Sequence, residues 1–180
     1  SSMKDAQSLA AGIWIDVGNR NETPDVAGIS HYLEHLVFKG TKHYSCQQIK
    51  EAIEGVGGSF NGFTSEEATC YLVKMPAQYL DVALKILTEM VSFPSLTQED
   101  IDKERTVILE EIKMYKDLPQ SYCYELLDEL LWPGQPLGRS ILGTVESVSA
   151  INRDALTSYR AGSYTAPNIV VSAAGRLSHR

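Results

Sequence analysis

Two of the four histidines stand four residues apart in GISHYLEHLVFKGT, residues 28–41, with Glu34 directly before the second. No other stretch constrains the fold as tightly. At about 100° per residue on a helix, with His31 at zero, His35 falls at roughly 40° and Glu34 at roughly −60°. Ile29, Leu33 and Leu36 fall at roughly 160°, 200° and 140°. One side of the helix is therefore fit for a core, and the other carries two imidazoles and a carboxylate. Phe38 falls at roughly −20°, on the imidazole side, where a core-filling aromatic is not expected.

That arrangement is what a zinc ion requires. Two neutral imidazoles one turn apart can bind a single ion at about 2.0–2.1 Å each. A carboxylate beside them can hold a water and take its proton. A hydrolytic site also needs a third protein ligand, and the long helical stretch TQEDIDKERTVILEEIKMYKD offers candidates. With Ile101 at zero, Ile108, Ile112 and Tyr115 define a buried stripe within about 40° of it. Glu104 and Glu111 fall at the stripe's edge, at roughly −60° and −80°, whereas Glu110 faces away. Glu104 and Glu111 are two turns apart, roughly 10 Å along the axis, so only one can join a given site. The bland alternative makes both of them rim carboxylates paired with Lys103, Arg105 or Lys113. Periodicity alone cannot bring this helix to His35.

The rest of the chain reads as a mixed fold. AAGIWIDVG reads as a buried strand, SFNGFTS and ATCYLVKM as two strands joined by a polar turn, and NIVVSAAG as a last strand. Ser45 caps a helix that stops at Gly55, and Thr97 caps the long helix, which ends before Pro119. Further helices are expected in PAQYLDVALKILTEMVSF, in SYCYELLDELLW and over residues 152–159, the last reached through a Gly/Pro loop. Helices and strands do not alternate one for one. The expected class is α+β, a mostly antiparallel sheet with helices packed on one face.

Composition narrows the function by exclusion. With 180 residues the chain fits one domain, and a net charge of −7 argues against nucleic acid or an anionic membrane as partner. Cys46, Cys70 and Cys123 are odd in number and lack metal or redox spacing, so they read as free thiols of a reducing compartment. No apolar run has transmembrane length, and no signal peptide opens the chain. His43 and His179 fall in expected loops and are assigned to solvent; Met75 and Met90 are assigned to packing.

GISHYLEHLVFKGT, GGSFNGFTSEEATCY, ERTVILEEIKMYKD and PLGRSILGTVESV together resemble the pitrilysin and mitochondrial processing peptidase family, the HxxEH zinc metallopeptidases, and in particular its bacterial processing-peptidase-like branch. The likeness runs in order from about Ala11 to Gly175. It implies that His31, His35 and Glu111 bind one zinc ion, that Glu34 is the general base, and that Glu104 supports the site. It further implies that Phe38 lines a substrate pocket and that Asn61, Gly62 and Phe63 lie on an edge strand where an extended peptide docks. The family usually has Ala where Gly62 stands, which loosens the strand here. Active members have two similar domains. The chain thus reads as a single N-terminal peptidase domain, 1–180, cut at both ends and lacking its homologous second domain. The function implied is a zinc metalloendopeptidase acting on extended or presequence-like peptides, with a non-catalytic scaffold or peptide-binding homologue as the alternative. A second domain or partner subunit would complete the chamber, in an intact protein that is a dimer. The bacterial cytoplasm is the expected compartment, with the mitochondrial matrix as the alternative.

Overall fold

In a computed structural model the described residues are Met3 and 5–177; His179 lies outside them. Four strands form one antiparallel sheet in the order β2-β3-β1-β4, where β1 is Ser8–Ile15, β2 Ser59–Thr64, β3 Thr69–Pro76 and β4 Ile169–Gly175. The period-two alternation of a strand decides its faces. On β1, Leu9, Ala11, Ile13 and Ile15 turn inward and are buried, while Trp14 is exposed on the other side. Seven α-helices are described: α1 Ile29–Val37, α2 Cys46–Glu54, α3 Leu80–Ser92, α4 Gln98–Asp117, α5 Pro119–Leu131, α6 Val145–Ala150 and α7 Arg153–Ser163. The inward face of the sheet packs on α3, and the fold is the α+β arrangement the sequence suggested.

Capping chemistry sets the helix boundaries. Ser45 Oγ accepts from Gln48 N–H at 3.2 Å and Gln48 Oε1 accepts from Ser45 N–H at 2.9 Å, a reciprocal box that starts α2. Thr97 Oγ1 accepts from Asp100 N–H at 3.1 Å to start α4, and Asn152 Oδ1 accepts from Ala155 N–H at 2.9 Å to start α7. Sequence reading passed over α6. Its six residues are too few to show a period, although Thr144 and Ser147 form the same reciprocal box, at 3.1 and 3.0 Å.

The interior is divided into two clusters, and α1 runs between them. Val37 belongs to the cluster over the sheet, with Ile13, Tyr71, Val73 and the two methionines Met75 and Met90. Ile29, Leu33 and Leu36 belong to a second cluster with Ile101, Ile108 and Ile112 of α4. The side of α1 opposite the histidines is thus apolar and buried, as its spacing predicts. The histidine side is also enclosed: His31 is only 8% exposed.

A close crossing of two chain segments fixes where α1 begins. Gly28 precedes the helix in the left-handed region, at φ 90°, and Gly143 sits opposite at φ 76°. A Cβ on Gly28 would lie 2.4 Å from Leu142 O, and one on Gly143 would lie 2.2 Å from Ala27 O. Only glycine fits at either position. Ser147 Oγ donates to Ala27 O at 2.7 Å, tying the start of α6 to the same point.

Candidate metal centre

Packing of α1 against α4 brings together residues that lie some 75 positions apart in sequence. Because Ile101, Ile108 and Ile112 bury against Ile29, Leu33 and Leu36, the flank of α4 that carries Glu104 and Glu111 lies along the histidine side of α1. Tyr32 locks the crossing by donating its hydroxyl to Ile101 O.

Glu111 Oε2 lies 3.7 Å from His31 Nε2 and 3.6 Å from His35 Nε2. Those separations are too long for hydrogen bonds. They are close to the roughly 3.3 Å between neighbouring ligand atoms of a tetrahedral site with bonds of about 2.05 Å. All three ligand atoms lie within 4.8 Å of one another, and this is the one such trio among the described residues. The residues present therefore fit a single divalent ion. Burial, with the neighbouring His35 second, pushes His31 down to about 3, so its ring is neutral and keeps a lone pair to offer.

A second layer orients part of this trio. Glu104 Oε2 accepts from His35 Nδ1 at 3.0 Å, which leaves the Nε2 lone pair facing His31 and Glu111. Lys39 Nζ holds the other Glu104 oxygen at 2.7 Å. Glu104, 6% exposed, is thus a buried carboxylate with a partner on each oxygen. The rim-pairing alternative does not describe it or Glu111: Lys103 pairs with Glu99, Arg105 with Asp102, and Lys113 with Glu110. Glu110 points outward, as its angle predicts.

Glu34 stands beside the trio and is half-buried. Burial raises its carboxyl above the usual range, against the opposing pull of a hydrogen bond from Thr64 Oγ1 at 2.7 Å. A cleft of about 350 Å³ opens here between β2 and α5, lined by His31, Glu34, Glu111, Gly62 and Phe63 and by Tyr124, Glu125 and Asp128 of α5. A larger hollow, about 830 Å³, lies among Gln7, Lys74 and Arg176 at the other end of the sheet. The trio of His31, His35 and Glu111 is absent from that hollow, and two of its members line the smaller cleft.

The strand residues take distinct positions. β2 is an edge strand. Asn61 is exposed, and its Oδ1 accepts from Gly62 N–H at 2.9 Å. Phe63 stacks edge-on against Trp14 at 5.6 Å, on the face of the sheet turned away from the helices. Phe38 packs its ring against Phe60 and Tyr71, at 5.5 and 5.9 Å, beneath β2. Gly62 pairs with Tyr71, so the register is defined there. A Cβ on Gly62 would meet the Phe38 ring at 3.0 Å and Glu34 Cγ at 3.1 Å.

Sequence reading missed Glu22 and Thr64. Glu22 is 4% exposed, and its two oxygens accept from Gly28 N–H at 2.7 Å and Ser30 N–H at 2.8 Å. It thereby caps α1 from the loop that precedes it and places a negative charge at the positive end of the helix. In sequence Glu22 is one acidic residue of a polar loop, and Thr64 is the end of a strand. No spacing marks either.

Comparison with known proteins bears on the family and the fold. The family profile described as Insulinase (Peptidase family M16) matches residues 1–145. The uncharacterized zinc protease YmxG of Bacillus subtilis is 41% identical over 172 residues, which cover 96% of this chain and 42% of that protein. The crystal structure of a protease from Helicobacter pylori superimposes with a TM-score of 0.93 at 25% identity, covering 98% of this chain and 43% of that one. An inactive M16 peptidase domain from Pseudomonas fluorescens shares the fold, with a TM-score of 0.91 at 18% identity over 99% of this chain and 43% of that one. The chain spans about two fifths of the length of these proteins. It belongs to the M16 (insulinase) family of peptidases.

Proposed function

We propose that this domain carries the catalytic half of a zinc metalloendopeptidase that cuts extended peptides. The convergence of His31 Nε2, His35 Nε2 and Glu111 Oε2 from two helices, with Glu34 beside them, is the observation that supports this reading. Zinc held by these residues would supply a Lewis acid that acidifies water and polarises a scissile carbonyl. Glu34 takes the water's proton and delivers it to the leaving amine. Its raised affinity for protons suits both roles, since it must bind the proton and then release it. Glu104 and Lys39 hold His35 in the tautomer that presents Nε2.

An extended peptide adds to the free edge of β2 beside Asn61, Gly62 and Phe63, where main-chain bonding supplies affinity without sequence choice. For that, Asn61 must release the Gly62 N–H it now accepts from. Phe38 lies beneath this strand, packed against the core, and supports it from below at Gly62. The remaining length of the intact protein, as a second homologous domain or a partner subunit, closes the cleft from the α5 side, and the intact protein is a dimer. Three free thiols suit the bacterial cytoplasm; among the described residues no helix is long and apolar enough to cross a membrane.

The alternative, a non-catalytic scaffold, gains nothing from the fold, because active and inactive relatives share it. The side chains favour the peptidase, since every residue of the expected constellation is present. Metal analysis of the intact protein with a fluorogenic-peptide assay tests the choice. One zinc per chain and cleavage lowered by orders of magnitude in Glu34→Gln are the expected results; zinc-free protein, or equal cleavage by the variant, overturns the reading.

A further inference from the structure

Strand β2 does more than border the cleft: it touches Glu34 at two points. A Cβ on Gly62 would come within 3.1 Å of Glu34 Cγ, so the acidic side chain lies across the bare backbone of that residue. Two residues on, at the end of the strand, Thr64 Oγ1 donates to Glu34 Oε2 at 2.7 Å. Gly62 and Thr64 share the inward face of β2, because side chains alternate along a strand. Thr64 is β-branched and its backbone is held by pairing with Thr69, so its hydroxyl has little freedom to swing. A hydrogen bond to an ionised carboxylate is among the stronger ones.

From this we infer that Thr64 is a positioning residue for Glu34, a role that rests on the peptidase reading above. With Oε2 engaged by Thr64, Oε1 is the oxygen left to face the cleft and exchange the proton. The same strand offers its free edge to the peptide. Peptide register and the base therefore share one rigid element, and the scissile bond is placed relative to Glu34 by backbone geometry rather than by a flexible side chain. A misplacement of about 1 Å in such a site can cost on the order of 10²-fold in rate.

The test uses the intact protein with Thr64→Val, which keeps size and branching but removes the donor, and Thr64→Ser, which keeps the donor. Thr64→Val is expected to lower kcat about 10- to 100-fold, with KM within about twofold and zinc content unchanged. Thr64→Ser is expected to stay within about fivefold of wild type, because it restores the hydrogen bond. Added to Glu34→Gln, Thr64→Val should cause no further loss, because it acts only through Glu34. Three results would overturn the role: wild-type kcat in Thr64→Val, an equal fall in Thr64→Ser, or a loss of zinc in Thr64→Val. An inactive Glu34→Gln beside an unaffected Thr64→Val removes Thr64 alone. A fully active Glu34→Gln removes Glu34 as base, and Thr64 with it.

Discussion

Helices α1 and α5 face each other across the cleft and are held in opposite ways. α1 is buried on nearly every side, wedged between two apolar clusters and capped by Glu22. α5 has no buried residue, and Leu126, Leu127, Leu130, Leu131 and Trp132 are all exposed on it or at its end. Both helices line the cleft. The difference separates two tasks. The two imidazoles proposed to meet one ion are carried by the over-determined helix. The opposite wall is carried by a helix whose apolar surface is left exposed.

If the histidine wall holds the chemistry, damage there should be large and specific. Replacing Glu34 with Gln removes the proton acceptor while keeping shape, and turnover in the intact protein should fall about 10²- to 10⁴-fold with zinc retained. Steady-state kinetics with metal analysis measures both. A step smaller, Glu104→Gln or Lys39→Met weakens the support of His35 and should reduce zinc affinity about 10- to 100-fold, read by competition with a chelator.

Glu22 sharpens the comparison by testing the frame rather than the ligands. Glu22→Ala leaves the Gly28 and Ser30 N–H groups buried without acceptors and should cost about 3 kcal/mol in urea unfolding. Its pH dependence has a defined sign. Burial raises Glu22 above its ordinary carboxylate value, so the folded state binds this proton more tightly than the unfolded chain. Its contribution to stability is greatest at acid pH and declines as pH rises from the unfolded value through the folded one. The variant should lose that slope.

On the α5 wall the expected effect is smallest. Leu130 is 79% exposed, and Leu130→Ser should change the stability of this domain by no more than about 0.5 kcal/mol. A loss comparable to that of Glu22→Ala would mean α5 is packed as firmly as α1, and the contrast between the two walls would fail.

The local steps of this molecule were legible in the residues themselves. The angle between His31 and Leu33, the inward turn of Glu111 against the outward turn of Glu110, and the caps at Ser45 and Thr97 follow from helix periodicity and backbone hydrogen-bonding needs, which act over three or four residues. What no period could decide was how α4 lies on α1. That crossing depends on six apolar side chains from distant segments burying together, and only then do Glu104 and Glu111 acquire different tasks, one supporting His35 and one facing both rings. Thr64 was illegible for the same reason, since it acts on Glu34, 30 residues away in the chain. Glu22 acts on Gly28 and Ser30, only 6 and 8 residues on, but it does so from an irregular loop, where no helical or strand period marks it.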